Sequence, residues 1–165
     1  MKSVQVLKLG TKCDDKATGL TGTLTHWIMN MSGNIDYLFQ PYGLNEEGQP
    51  LKRLYLCLAR LSYKESDFEK VEVPFQVLGT QVECSSSGFK GMAVAFIRHI
   101  NGCFHVEIQP NGKIEKTGKP IASYECDMRE CVGEMVPKLD EQQRKESVEK
   151  SPSPSEIPPR RTYAE

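Results

Sequence analysis

The chain has 165 residues with 21 Lys and Arg against 22 Asp and Glu, a formal net charge of −1. That balance argues against broad electrostatic attachment to nucleic acid or to an anionic membrane, both of which draw on a positive surplus. No run of about 18 apolar residues occurs, so no membrane-spanning helix is expected, and Met1-Lys2-Ser3-Val4-Gln5-Val6-Leu7 lacks the long apolar core of a secretory signal, which points to synthesis and retention in a cytoplasm.

Residues 4–9 alternate and predict a strand. Gly10-Thr11 turns the chain into a second extended piece at residues 12–15, and Lys16-Ala17-Thr18-Gly19 turns it again. Gly19 supplies a backbone angle that other residues resist. Gly22 lies inside the next strand, where a glycine marks a bulge or a close backbone approach. Residues 23–29, rich in β-branched and aromatic side chains, predict the longest strand of this half. Met31-Ser32-Gly33-Asn34 is a hairpin turn, residues 35–40 return antiparallel, and Pro41 stops them. A polar loop follows at residues 44–50, and residues 54–61 predict a further strand.

The chain then says this again. Gly10, Gly19, Gly22, Gly33, Gln40 and Pro41 recur as Gly79, Gly88, Gly91, Gly102, Gln109 and Pro110, each pair 69 apart (79 − 10 through 110 − 41). Gly48 and Pro50 recur as Gly118 and Pro120, 70 apart (118 − 48, 120 − 50), which implies one inserted residue after Pro110. The pattern is a tandem duplication. In the second copy residues 80–84 are extended, residues 85–88 turn, and residues 92–97 form the long strand. Asn101-Gly102 is a strong hairpin signal, and residues 104–109 return. Tyr124-Glu125-Cys126-Asp127 alternates, which is why residues 54–61 are read as strand rather than helix.

The expected architecture is all-β: two tandem SH3-like β-barrel modules at residues 1–62 and 73–136, a connector at 63–72, and a polar, extended C-terminal arm at 137–165. Each module is about 60–70 residues, near the lower limit for an independent core, so the copies should pack together or self-associate. The arm is rich in Ser and Pro and cannot pack a core; Arg160, Arg161 and Tyr163 near its end are candidate partner-binding residues.

The residues that carry chemistry elsewhere form no recognisable constellation here. The six cysteines, Cys13, Cys57, Cys84, Cys103, Cys126 and Cys131, include no Cys-x-x-Cys pair and read as buried free thiols, with Cys13 and Cys84 in similar parts of the two copies. His26, His99 and His105 align with Ala95, Asn30 and Asp36, so no histidine is shared, and each reads as a surface or hairpin residue. Gly19 and Gly22 lack the Gly-Lys-Ser/Thr of a phosphate loop. Trp27, Tyr37, Phe39, Phe96 and Phe104 read as core rather than a base-stacking face, because no basic groove accompanies them. No catalytic residue, metal or cofactor is expected. Gly19, Gly22, Gly33, Gly88, Gly91 and Gly102 read as structural turns.

Asp15-Lys16-Ala17-Thr18-Gly19-Leu20-Thr21-Gly22 and Ser87-Gly88-Phe89-Lys90-Gly91 carry one resemblance. The pattern is similar to a family of small, largely uncharacterised bacteriophage proteins with an Asp-Lys-x-Thr-Gly-Phe-x-Gly turn, a long strand, Gly-Cys and a return strand. The first copy departs at Leu20 and at Gly33-Asn34, the second at the serine run before Gly88. The resemblance implies a phage origin and a compact β-barrel, not an activity. The expected function is therefore a non-enzymatic virion component, such as a head-decoration, connector, tail or baseplate protein. Its expected partners are other phage structural proteins and itself, with no membrane and no nucleic acid. The alternative is an intracellular phage accessory protein that binds a small ligand or a host factor.

Overall fold

The computed structural model describes residues 1–138. The first copy supplies β1 (Lys2–Leu7), β2 (Lys12–Asp14), β3 (Thr21–Asn30), β4 (Ile35–Pro41) and β5 (Leu54–Cys57), with buried and more exposed positions alternating along β4. The second copy follows with β6 (Phe68–Val73), β7 (Gln81–Cys84), β8 (Lys90–His99), β9 (Phe104–Gln109), β10 (Tyr124–Asp127) and β11 (Cys131–Val132). Three single 3-10 turns, at Leu58–Arg60, Glu65–Asp67 and Phe75–Val77, are the only helical elements among the described residues. The all-β expectation is met.

The arrangement of the strands differs from two closed barrels. A nine-stranded sheet runs β10-β9-β8-β3-β4-β5, with β2 also on β3, β7 on β8 and β11 on β7, while β1 and β6 form a separate antiparallel pair. No barrel closes. The strand expected at 54–61 ends at Cys57 and continues as a 3-10 turn, and β6 begins at Phe68, inside the stretch expected as a connector. The reason lies in the edges: β1 and β6 would each leave a row of unpaired backbone groups, and each supplies the other's ladder. The arm from residue 139 onward, including Arg160, Arg161 and Tyr163, lies outside the described residues.

The duplication is written into the register. In the β3–β8 ladder Ile28 faces Ile97, its own counterpart (97 − 28 = 69), and His26 faces His99 while Asn30 faces Ala95. In the β1–β6 ladder Ser3 faces Glu72, again its counterpart (72 − 3 = 69). An antiparallel ladder in which a residue meets its own repeat has a local two-fold axis, so the copies relate to each other as the halves of an isologous dimer do. Both long strands also carry an irregularity at the same place, between Leu24 and His26 and between Ala93 and Ala95.

The same backbone contacts recur copy by copy. Gln40 Nε2 donates to the carbonyls of Pro41 and Leu51, and Gln109 Nε2 donates to those of Pro110 and Ile121. At Gly22 and Gly91 a Cβ would lie 2.3 and 2.4 Å from the carbonyl oxygens of Gln40 and Gln109, so only glycine lets the neighbouring strand approach. Gly19 and Gly88 close the turns before them at φ +73° and +71°, and Gly33 and Gly102 do so in the hairpins at +83° and +90°. Trp27, Tyr37, Phe39 and Phe96 are buried in one core with Val6, Leu7, Leu24 and Ile108. The buried Tyr37 hydroxyl accepts from the Leu7 amide at 2.9 Å, which ties β4 to β1.

Candidate functional site

The turn after β2 is held shut by charge. Asp15 is fully buried, and its carboxylate accepts four hydrogen bonds: from the Ala17 amide at 3.2 Å, the Thr18 hydroxyl at 2.6 Å, and Arg60 Nε and a terminal guanidinium nitrogen at 3.0 and 2.6 Å. The Arg60 fork, with Thr18, holds the Asp15 carboxyl at about 2 from an ordinary 3.8. The Asp-Lys-x-Thr-Gly motif is thus the donor set around one buried carboxylate, completed by an arginine 45 residues later in the chain.

In the second copy that place is chemically different. Asp15 corresponds to Cys84 (84 − 15 = 69), while Arg60 corresponds to Glu130 and Leu61 to Cys131 (130 − 60 = 131 − 61 = 70). The isolated bridge between Asp15 and Leu61 reappears as the β7–β11 pairing of Cys84 with Cys131. Cys13 corresponds to Val82 (82 − 13 = 69), two residues before Cys84 on the equivalent strand. Cys84 Sγ lies 3.2 Å from Ser86 Oγ and 4.0 Å from a Glu130 carboxylate oxygen, and the Ser86 hydroxyl donates to the same oxygen at 2.9 Å. Sγ of Cys84 and Cys126 and a carboxylate oxygen of Glu130 fall within 4.8 Å of one another. Burial pushes the Cys84 thiol up, but its hydrogen bonds with Ser86, Ser87 and Cys126 outweigh it and bring it to about 7 from 9.0. Burial and the Cys84 thiolate push Cys126 up strongly and Cys131 to about 11. Of the six cysteines, Cys13, Cys84, Cys126 and Cys131 are buried as expected, Cys103 is half-buried, and Cys57 is exposed.

A second cluster gathers all three histidines. Sheet alternation explains it: His26 on β3 faces His99 on β8, His99 shares a face with Ile97 two residues before it, Ile97 faces His105 on β9, and His105 faces Asp127, which shares a face with Glu125 on β10. His99 Nε2 and His105 Nδ1 are 3.1 Å apart, His105 Nδ1 and Glu125 Oε2 are 3.3 Å apart, and His99 Nε2 and Glu125 Oε2 are 3.7 Å apart. The His26 ring meets the His99 ring edge-on, centroids 4.3 Å apart, and its Nδ1 is engaged by Thr25 Oγ1 at 2.8 Å. Burial holds His26 and His99 below the ordinary histidine value, and their neighbouring imidazoles add to this. These residues lie up to 99 positions apart (125 − 26) and carry no spacing motif; only the β3–β8 seam brings His26 to the rest.

Three exposed apolar positions of the first copy are polar in the second. Tyr42 is 88% exposed and Leu44 and Tyr55 are 66% exposed, where the second copy has Asn111, Lys113 and Glu125. Tyr42 and Leu44 line a shallow depression with Thr23, Gln40, Pro41, Gly43 and Pro50. No helix among the described residues is long and apolar enough to cross a membrane. Comparison with protein-family models, curated proteins and solved structures finds no match.

Proposed function

We propose that the chain is a non-enzymatic structural protein of a bacteriophage particle, two SH3-scale modules in tandem that act through contacts with other virion proteins and with each other. The observation that carries this reading is the exposure of Tyr42, Leu44 and Tyr55 on one copy of a frame whose other copy is polar at the same places. Aromatic and aliphatic side chains held open to solvent are the composition of a protein interface core. Tyr55 stands on β5, and the loop that carries Tyr42 and Leu44 is pinned by the Leu44–Pro50 bridge, which limits what a partner must order on binding. The C-terminal arm, residues 137–165, adds a second attachment through Arg160, Arg161 and Tyr163.

Mass spectrometry of purified particles tests this. Stoichiometric presence is expected, falling at least about tenfold in Tyr42→Ser/Leu44→Ser, since loss of a central aromatic anchor costs about 2 kcal/mol or more. Absence from particles, with expression early in infection, favours the second reading: an intracellular accessory protein that binds a small ligand or a host factor. The two donor clusters of the second copy support that alternative.

A further inference from the structure

The geometry points to a metal site at His99, His105 and Glu125 that takes one divalent transition ion of the zinc type, with water in its fourth position. Three observations carry it. The donor atoms His99 Nε2, His105 Nδ1 and Glu125 Oε2 form a triangle with sides of 3.1, 3.3 and 3.7 Å. Ligands bonded to zinc at about 2.0–2.1 Å in a tetrahedron sit about 3.3–3.4 Å apart, so the triangle has the size of one tetrahedral face.

The protein's own hydrogen bonds do not close this triangle. His105 Nδ1 approaches both His99 Nε2 and Glu125 Oε2. One ring nitrogen offers either one proton or one lone pair, so it satisfies one of these neighbours fully and not both. A cation at the centre takes the His99 lone pair, the His105 lone pair and the carboxylate charge together. Finally, the three ligands stand on β8, β9 and β10, consecutive strands whose ladders set their spacing before any ion arrives. The His26 ring, edge-on to His99, packs the first ligand in place from the other copy.

The donor set selects the ion. Two imidazoles and one carboxylate suit zinc, cobalt, nickel or copper, whereas magnesium and calcium call for oxygen ligands throughout. Three protein ligands leave one position, and Glu125 is half exposed, so that position opens to solvent. The site exists in the second copy alone: the corresponding residues of the first are Asn30, Asp36 and Tyr55.

The experiment uses the tag-free full chain stripped with a chelator and titrated with Zn²⁺ by calorimetry and with Co²⁺ by visible absorption. One equivalent is expected at this site, with cobalt d–d bands that persist in Cys84→Ser, where the thiol cluster of Cys84, Cys126 and Glu130 is broken. His105→Ala and the conservative Glu125→Gln should each weaken binding at least about 100-fold, since loss of a direct ligand exceeds the 10–100-fold typical of a supporting residue. Glu125→Gln removes charge from a half-exposed position and leaves the fold's circular dichroism intact. No binding, binding unchanged in both His105→Ala and Glu125→Gln, or binding abolished by Cys84→Ser would each overturn the assignment.

Discussion

Asp15 and Cys84 stand at the same place in two copies of one fold, and what surrounds them differs in kind. Around Asp15 the turn, the Thr18 hydroxyl and the Arg60 fork make a closed ion pair with every lone pair directed at a donor. Around Cys84 the turn is the same, with the Gly88 amide donating to the Cys84 carbonyl at 2.7 Å as the Gly19 amide does to that of Asp15. The arginine has become Glu130 and the neighbouring leucines have become Cys126 and Cys131. The backbone geometry does not depend on the group that plugs it. The first copy uses the place as a lock; the second has exchanged the lock for thiols and a carboxylate, groups able to bind or react.

The sharpest break is Arg60→Glu, which gives the first copy the second copy's residue while leaving Asp15 buried. Two carboxylates then share a site built for an ion pair, and the melting temperature should fall by roughly 5–10 °C. Asp15→Cys/Arg60→Glu should recover much of that loss in a double-mutant cycle. No recovery would mean that the two places are not interchangeable. The intact pair also sets the acid limit. Asp15 titrates lower in the folded chain than in the unfolded one, so its stabilisation is complete above 3.8 and fades as pH falls towards about 2, a dependence Asp15→Asn should flatten.

Next in size are Gly22→Ala and Gly91→Ala. Each would drive a methyl group into a carbonyl of the neighbouring strand, costing about 1–3 kcal/mol, and denaturant titration should find the two losses equal within error. Unequal losses would show that the frames have diverged as well as the surfaces. The smallest effect is spectroscopic. Thiolate absorbance should rise with a step near pH 7, lost in Cys84→Ser and moved towards 9.0 in Ser86→Ala, with little change in stability. A step that Ser86→Ala leaves in place would remove the serine from the account.

The strands and turns were legible because their signals are local. Glycines at fixed spacing mark turns, and alternation marks strands; residues 104–109 and 124–127 were read to the residue. The single sheet was not legible, since whether the copies close on themselves or pair across β3 and β8 depends on which edges meet, and both choices bury the same alternation. The Asp15–Arg60 pair was half visible: the Asp-x-x-Thr-Gly turn stands in the sequence, but the arginine that answers it does not announce itself. The histidines show the clearest limit. Each aligns with a non-histidine in the other copy, which is true, yet His26 meets His99 across the seam between copies rather than within either one. A comparison of the copies with each other has no means of detecting a contact made between them.

The self-matching ladders have a consequence for how the chain assembles. Ile28 facing Ile97 and Ser3 facing Glu72 mean that each half carries an edge that accepts its own image. In a separated state, the free edges of β3 and β8 are equally suited to the edges of another molecule. The segment between Leu61 and Phe68 holds the correct partner at an effective concentration on the order of millimolar, far above that of any stranger in dilute solution. The short tether therefore favours pairing of the two halves within one chain over exchange between chains.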